Sequence, residues 1–200
     1  MRCAAFTIVY NDMIGLELWI KYYSRYFDHL LIVCNNTKRK YQPLLNSFKE
    51  KYGIEYVPFS FYHKDKDQTI TDTIDPAIML GYILDKQNEL LKEYDWVLYC
   101  NMDEIIAPQK RWKDLRELME KYPEDKIACI GYEVVQTRKE LPIDFSIPYL
   151  QQRKYWIKNY NYNKILLSRI PLEWNQGQHQ IDNMRAEESR AYKRTGLYLI

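Results

Sequence analysis

Little in this sequence points to a thiolate metal site, a membrane or a nucleic acid. The four cysteines, Cys3, Cys34, Cys100 and Cys129, include no CxxC pair, so a zinc site is not expected. Each lies in an apolar, strand-like run where a small reduced thiol packs well, which leads to the expectation of a cytoplasmic protein. Positive charge is not in excess, since 29 basic side chains meet 27 acidic ones for a formal net charge of +2. Nucleic-acid binders concentrate positive charge, so no nucleic-acid partner is expected. The apolar run in MRCAAFTIVYND is too short for a membrane span and turns polar at Asn11 without a cleavage site. Neither an anchor nor an export signal is expected. Internal repeats and low-complexity linkers are also missing.

What is present fits one globular domain: 200 residues, 46% hydrophobic and 28% charged. Tyrosine is abundant, with 19 copies beside 5 tryptophans. Such rings suit ligands that are part flat and part hydroxylated, although most of them serve packing.

Apolar runs of strand length alternate with runs at helical spacing. Residues 4–10 (AAFTIVY) read as a strand. Residues 14–27 follow with Leu16, Trp19, Ile20, Tyr23 and Phe27 on one helical face. A second strand covers 30–34, a second helix 42–52 with Gly53 as its C-cap, and a third strand 54–59. The polar stretch 60–73 reads as a long loop of the kind used for lids. Asp75-Pro76 then opens a helix to about residue 93. A further strand, helix and strand are expected at 95–100, 111–122 and 126–136, and irregular short β runs from 141 onward. The alternation implies an α/β domain: a mostly parallel central sheet with helices on both faces and an irregular, β-containing C-terminal part.

The stretch Tyr94 to Pro108, YDWVLYCNMDEIIAP, joins a buried strand to adjacent acids. In open α/β sheets, ligands bind outside the carboxyl ends of the strands. Asn101, Asp103 and Glu104 fall there, and two-residue alternation would point Asn101 and Asp103 the same way. A hard cation such as Mn²⁺ or Mg²⁺ takes carboxylate oxygens and keeps positions open for phosphate. A cap or turn with solvated acids is the plainer alternative.

This stretch resembles the D-x-D-E-F segment of GT-A glycosyltransferases of the family 2-like group, matching at Trp96, Val97, Leu98, Asp103, Glu104 and Pro108. It departs at Asn101, where the family carries its first Asp. Asn offers hydrogen bonds but no charge, which places metal binding on Asp103. The segment TIVYNDMIGLELWIKYY resembles the family's first strand, Asn-Glu pair and helix, with Asn11-Asp12 at the pair. Asn35, Asn36 and Thr37 stand where the family has D-x-G-S-T-D. Gln87 resembles a Gln ahead of the acidic strand, and Lys164, Gly177 and His179 resemble a late Lys followed by Gly-x-His.

The resemblance implies a metal-dependent glycosyltransferase that moves a sugar from a nucleotide-sugar, with a UDP-sugar as donor, to a glycan or other hydroxyl acceptor. Residues 1–108 would form the nucleotide-sugar half and 109–200 the acceptor half of one domain, with further domains of a longer protein possible partners. Mn²⁺ or Mg²⁺ would sit on Asp103 and His179. Tyr10, Asn11, Asp12, Asn35, Asn101 and Lys164 would line the donor site, with Arg169 a second cation for the diphosphate. A catalytic base is sought among Glu133, Asp144 and Asp182, and Asp65, Asp67 and Asp72 lie on the long loop. Two rival readings stay open. A metal-dependent phosphoesterase or nucleotidyltransferase would need a second metal cluster, and the three histidines, at 29, 63 and 179, are scattered. A non-catalytic sugar- or nucleotide-binding module would fit the aromatic content.

Overall fold

The structure is a computed structural model, and it describes residues 1–64, 70–144, 146–175, 180–181, 184–185 and 197–200. The strands are β1 (Cys3–Val9), β2 (His29–Asn35), β3 (Glu55–Phe59), β4 (Tyr62–Lys64), β5 (Ile70–Ile74), β6 (Trp96–Tyr99), β7 (Ile106–Pro108), β8 (Lys126–Val134), β9 (Trp156–Lys158), β10 (Lys164–Ser168), β11 (Gln180–Ile181), β12 (Met184–Arg185) and β13 (Leu197–Leu199). The α-helices are α1 (Met13–Tyr23), α2 (Gln42–Tyr52), α3 (Pro76–Leu90), α4 (Leu115–Lys121) and the single turn α5 (Tyr149–Gln152). A 3₁₀ turn, Tyr160–Tyr162, precedes β10.

The main sheet runs β3-β2-β1-β6-β10-β8-β13-β7, with β9 beside β8. The registers orient β1, β2, β3, β6, β8 and β13 one way and β7, β9 and β10 the other. The sheet is thus mostly parallel, and the expected α/β class holds. Among the described residues, no helix is long and apolar enough to cross a membrane.

Period-2 alternation splits β1 between two cores. Cys3, Ala5 and Val9 face the core under α1, α2 and α4, while Ala4 and Phe6 face the core under α3. Trp19 and Trp96 are fully buried on the first side, and each contributes roughly 4 kcal/mol of hydrophobic stabilisation. Trp96 also donates from Nε1 to the Met119 carbonyl at 3.0 Å, which seats α4 on β6. All four cysteines are free and buried. Burial pushes the Cys3 and Cys100 thiols up to about 12 and Cys34 to about 11, so they pack and do not react.

Local signals mark several ends. Asp75 caps α3 by accepting from the Ala77 and Ile78 amides at 2.9 and 3.2 Å. Gly53 ends α2 at φ +67°, a left-handed conformation that glycine adopts without strain. The stretch expected as a loop, 60–73, instead carries the antiparallel pair β4–β5. Asp65 and Asp67 lie outside the described residues. The short strand β7 was not expected, because three residues carry no readable period.

The amino-terminal edge of the sheet is tied by Asp28. Its Oδ2 accepts from the Cys3 amide at 2.7 Å, and its Oδ1 accepts from Arg116 Nη2 at 2.6 Å. Burial alone would raise this carboxyl. The bonds from Arg116 and Cys3 outweigh it and hold the carboxyl below its ordinary value. A carboxyl lowered by folding stabilises above its unfolded pKa of about 3.9, and that contribution is lost as pH falls through the lower folded value. Asp28→Asn is therefore expected to cost roughly 1 kcal/mol at pH 7, the screened end of the range for a charged hydrogen bond. Thermal melts of mutant and wild type are expected to draw together as pH falls below about 4 and to converge only below the lowered folded value of this carboxyl.

Candidate active site

The direction in which neighbours are added changes between β1 and β6: β2 and β3 lie on one side of β1, and β6 lies on the other. In α/β sheets, that crevice outside the carboxyl ends is where ligands sit. β1 ends there in Tyr10, Asn11 and Asp12. Tyr10 is 54% exposed, with its ring edge-on to Tyr62. Asn11 takes a left-handed φ of +58° and accepts at Oδ1 from the Lys38 amide at 3.0 Å, fixing the β1 and β2 loops together. Asp12 is the N-cap of α1 and accepts from the Gly15 amide at 2.9 Å. Asn35 departs from the expectation of a free donor contact. It is 2% exposed, and its Oδ1 accepts from the Phe61 amide at 3.1 Å, so it ties β2 to the segment after β3.

β6 ends at Tyr99, and the acids stand on a turn rather than on the strand. The Glu104 amide donates to the Asn101 carbonyl at 3.0 Å, closing that turn. The two-residue alternation expected of Asn101 and Asp103 therefore fails. Asn101 is half-buried with its Oδ1 3.5 Å from the Tyr99 hydroxyl, and Asp103 is exposed. Among the described residues, Asp103 makes no hydrogen bond or ion pair.

Glu104 turns inward. Its Oε1 meets Lys164 Nζ at 2.5 Å, and its Oε2 accepts from the Asn101 amide at 3.0 Å. Lys164, expected at a diphosphate, is 4% exposed and has its ammonium on this carboxylate. Two residues of α1, which the sequence marked only as core, hold the same loop. The Tyr23 hydroxyl donates to the Glu104 carbonyl at 3.2 Å and accepts from the Ile106 amide at 2.9 Å. Trp19 donates from Nε1 to Cys100 Sγ at 3.3 Å. Burial, followed by the neighbouring Cys100, pushes the Tyr23 hydroxyl well above its ordinary value, so it serves as a neutral donor and acceptor.

A cavity of about 230 Å³ opens beside this turn, lined by Asp103, Glu104, Tyr132, Glu133, Tyr162 and Ile200 among others. The adjacent acids Asp103 and Glu104 thus share one space with Glu133, some 30 positions further along the chain and exposed near the end of β8. Tyr132 and Tyr162 were not singled out in the sequence; nothing local separates them from the other tyrosines. Asp144 does not line the cavity. Its Oδ1 accepts from the Ser146 amide and hydroxyl at 2.8 and 2.6 Å, and those bonds hold the carboxyl below its ordinary value. It serves a local turn. Arg169 stacks its guanidinium over Trp96, 4.4 Å from the ring centroid, and lies far along β10 from Lys164. Gln87 is buried and accepts at Oε1 from the Leu172 amide at 2.7 Å, pinning α3 to the chain after β10. Gly177, His179 and Asp182 lie outside the described residues, and of Asp72 only the backbone in β5 is described.

Of the acids lining this cavity, Glu104 is engaged by Lys164, while Asp103 and Glu133 are exposed. Mg²⁺-like ions use one or two protein carboxylates and take their other ligands from phosphate and water. Among the described residues, no group of three His, Cys, Asp or Glu side chains could hold a metal on its own.

No protein-family model matches the sequence, and no curated protein sequence matches it. Among solved structures, S. aureus TarS aligns over 72% of this chain and 23% of its own, at 12% identity and a TM-score of 0.40. A shorter S. aureus TarS in complex with UDP aligns over 72% and 38%, at 11% identity and a TM-score of 0.38. The glycosyltransferase GlyE of Streptococcus pneumoniae TIGR4 aligns over 66% and 29%, at 13% identity and a TM-score of 0.39. The chain spans between 23% and 38% of the length of these three. At such scores the fold rests on the strand order and registers themselves: a mostly parallel α/β sheet with two acids, Asp103 and Glu133, facing one cavity at its carboxyl edge.

Proposed function

We propose that this chain is a nucleotide-sugar-dependent glycosyltransferase with a UDP-sugar as donor and a hydroxyl-bearing glycan as acceptor. The observation that carries the reading is Asp103, exposed and without a protein partner among the described residues, lining one cavity with Glu133. A base and a phosphate-side carboxylate lining one small space suit a displacement at an anomeric carbon. Further support comes from the resemblance of the 94–108 stretch to the acidic segment of GT-A enzymes.

In this reading the diphosphate lies at the ends of β1 and β6, beside Tyr10, Asn11 and Asn101, with Asp103 toward its oxygens. Asp103 would hold a divalent cation there together with the diphosphate, and the cation would supply Lewis-acid stabilisation of the leaving group. Glu133 accepts the acceptor hydroxyl's proton as the new C–O bond forms at the anomeric carbon and the bond to the diphosphate breaks. A single displacement of this kind inverts the configuration at that carbon.

Calorimetric titration of UDP with and without Mn²⁺ tests the reading. Wild type is expected to bind UDP in a Mn²⁺-dependent way, and Asp103→Ala to lose roughly tenfold or more in affinity. Glu133→Gln is expected to retain UDP binding and lose transfer. UDP binding that ignores both metal and Asp103 would sink the proposal.

A further inference from the structure

We infer that Lys164 is a positioning residue for the acidic turn and not a contact to the donor diphosphate; this rests on the reading of Asp103 just given. The geometry is a relay of three groups. The Lys164 ammonium, 4% exposed, neutralises Glu104 Oε1. Glu104, with its side chain 13% exposed, spends its other oxygen on the Asn101 amide. That bond, together with the Glu104 amide on the Asn101 carbonyl, closes the turn from both directions and leaves Asp103 facing outward. An ammonium that is buried and already ion-paired has to abandon a buried carboxylate in order to reach a phosphate, and a buried unpaired charge is costly.

Glu104 therefore differs in role from its neighbour Asp103. Lys164 holds the carboxylate in the interior, the carboxylate holds the Asn101 amide, and the amide fixes the turn on which Asp103 stands. Tyr23 braces the same loop through its backbone, at the Glu104 carbonyl and the Ile106 amide. The residues that orient a metal-side ligand without touching the metal commonly change affinity by roughly 10- to 100-fold when removed.

Three variants separate the two roles: Lys164→Met, Glu104→Gln, and the two combined. A glutamine facing Lys164 sets an amide N–H₂ or the Asn101 N–H against another donor whichever way it turns, so Glu104→Gln breaks one arm of the relay. In the double variant the glutamine carbonyl is free to accept from Asn101 while its N–H₂ faces Met. The positioning role predicts that each single variant loses roughly tenfold or more in Mn²⁺-dependent UDP affinity. It also predicts that the double variant binds better than either single one, a coupling visible only if both residues act through one element. A phosphate contact predicts the reverse pattern: Glu104→Gln binds as wild type, and the double variant is as weak as Lys164→Met. That pattern would overturn the inference.

Hydrogen exchange of the Asn101 amide, followed by NMR without any donor, gives an independent readout. Protection is expected to fall in both single variants and to return in the double variant. Unchanged protection in both single variants would remove the relay. Wild type that shows this exchange behaviour but no metal-dependent UDP binding would remove the donor reading and leave the relay standing.

Discussion

Gly131→Ala is expected to destabilise the protein by about 3 kcal/mol, at the upper end of what overpacking a filled site costs. Gly131 lies in β8 with the 3₁₀ turn Tyr160–Tyr162 directly upon it. Its amide donates to Asn163 Oδ1 at 2.8 Å, and its carbonyl accepts from the Asn159 amide at 3.0 Å. A Cβ at this position would lie 2.5 Å from the Tyr162 carbonyl carbon, 2.5 Å from Tyr162 Cβ and 2.7 Å from the Asn159 oxygen. Two of these are backbone atoms held by the hydrogen bonds just named, so no side chain can simply rotate away. Relief requires the turn to lift from β8, which takes Tyr162 off the wall of the cavity. Urea unfolding measures the loss, and thermal denaturation should show a drop of roughly 10 °C for a domain of this size. A change within about 1 kcal/mol of wild type would mean that the turn is not seated on β8 as described.

Lys164→Met is expected to cost about 3 kcal/mol at pH 7, because it strands the Glu104 carboxylate in the interior without a counter-charge. Adding Glu104→Gln should return most of that loss. Replacing both charges of a buried pair is commonly neutral, whereas removing one is not. Chemical denaturation of the two single variants and the double variant closes a thermodynamic cycle. If Lys164→Met unfolds within about 0.5 kcal/mol of wild type, water reaches the pair and the interior ammonium is not needed for stability.

The fold was legible where local chemistry sets it. Gln42–Tyr52 is a helix with the expected bounds because Pro43 opens its first turn and Gly53 takes the left-handed cap. The strand ahead of the acids is buried as its composition implies. Legibility stopped where a residue's partner is distant. Asn101 and Asp103 read as strand positions until the Glu104 amide closes a turn on the Asn101 carbonyl, and period-2 alternation has no meaning in a turn. The Glu104 and Lys164 ion pair joins residues 60 positions apart, so the sequence offered a cation and an acid without their union. Tyr23 and Trp19 carried a core pattern that was correct, yet the same pattern says nothing of the polar atoms they aim at the loop. The hairpin β4–β5 stayed hidden because its side chains are mostly polar, leaving too few apolar positions to set a period.

The placement of β13 bears on how the chain reaches this state. Leu197 pairs with Pro108 on one side and with Cys129 on the other, so a three-residue strand encoded late in the chain becomes an interior strand of the sheet. During synthesis β7 and β8 emerge long before it. Among the described residues β7 pairs with no strand but β13, and β8 keeps one edge open after β10 is in place. Non-local pairings of this kind form slowly. A nascent chain therefore passes through a stage in which the left part of the sheet, β3-β2-β1-β6, can already be in place while the right part still presents unpaired edges. That half-finished sheet is the species on which aggregation and chaperone capture would act, and docking of residues 197–199 ends its exposure.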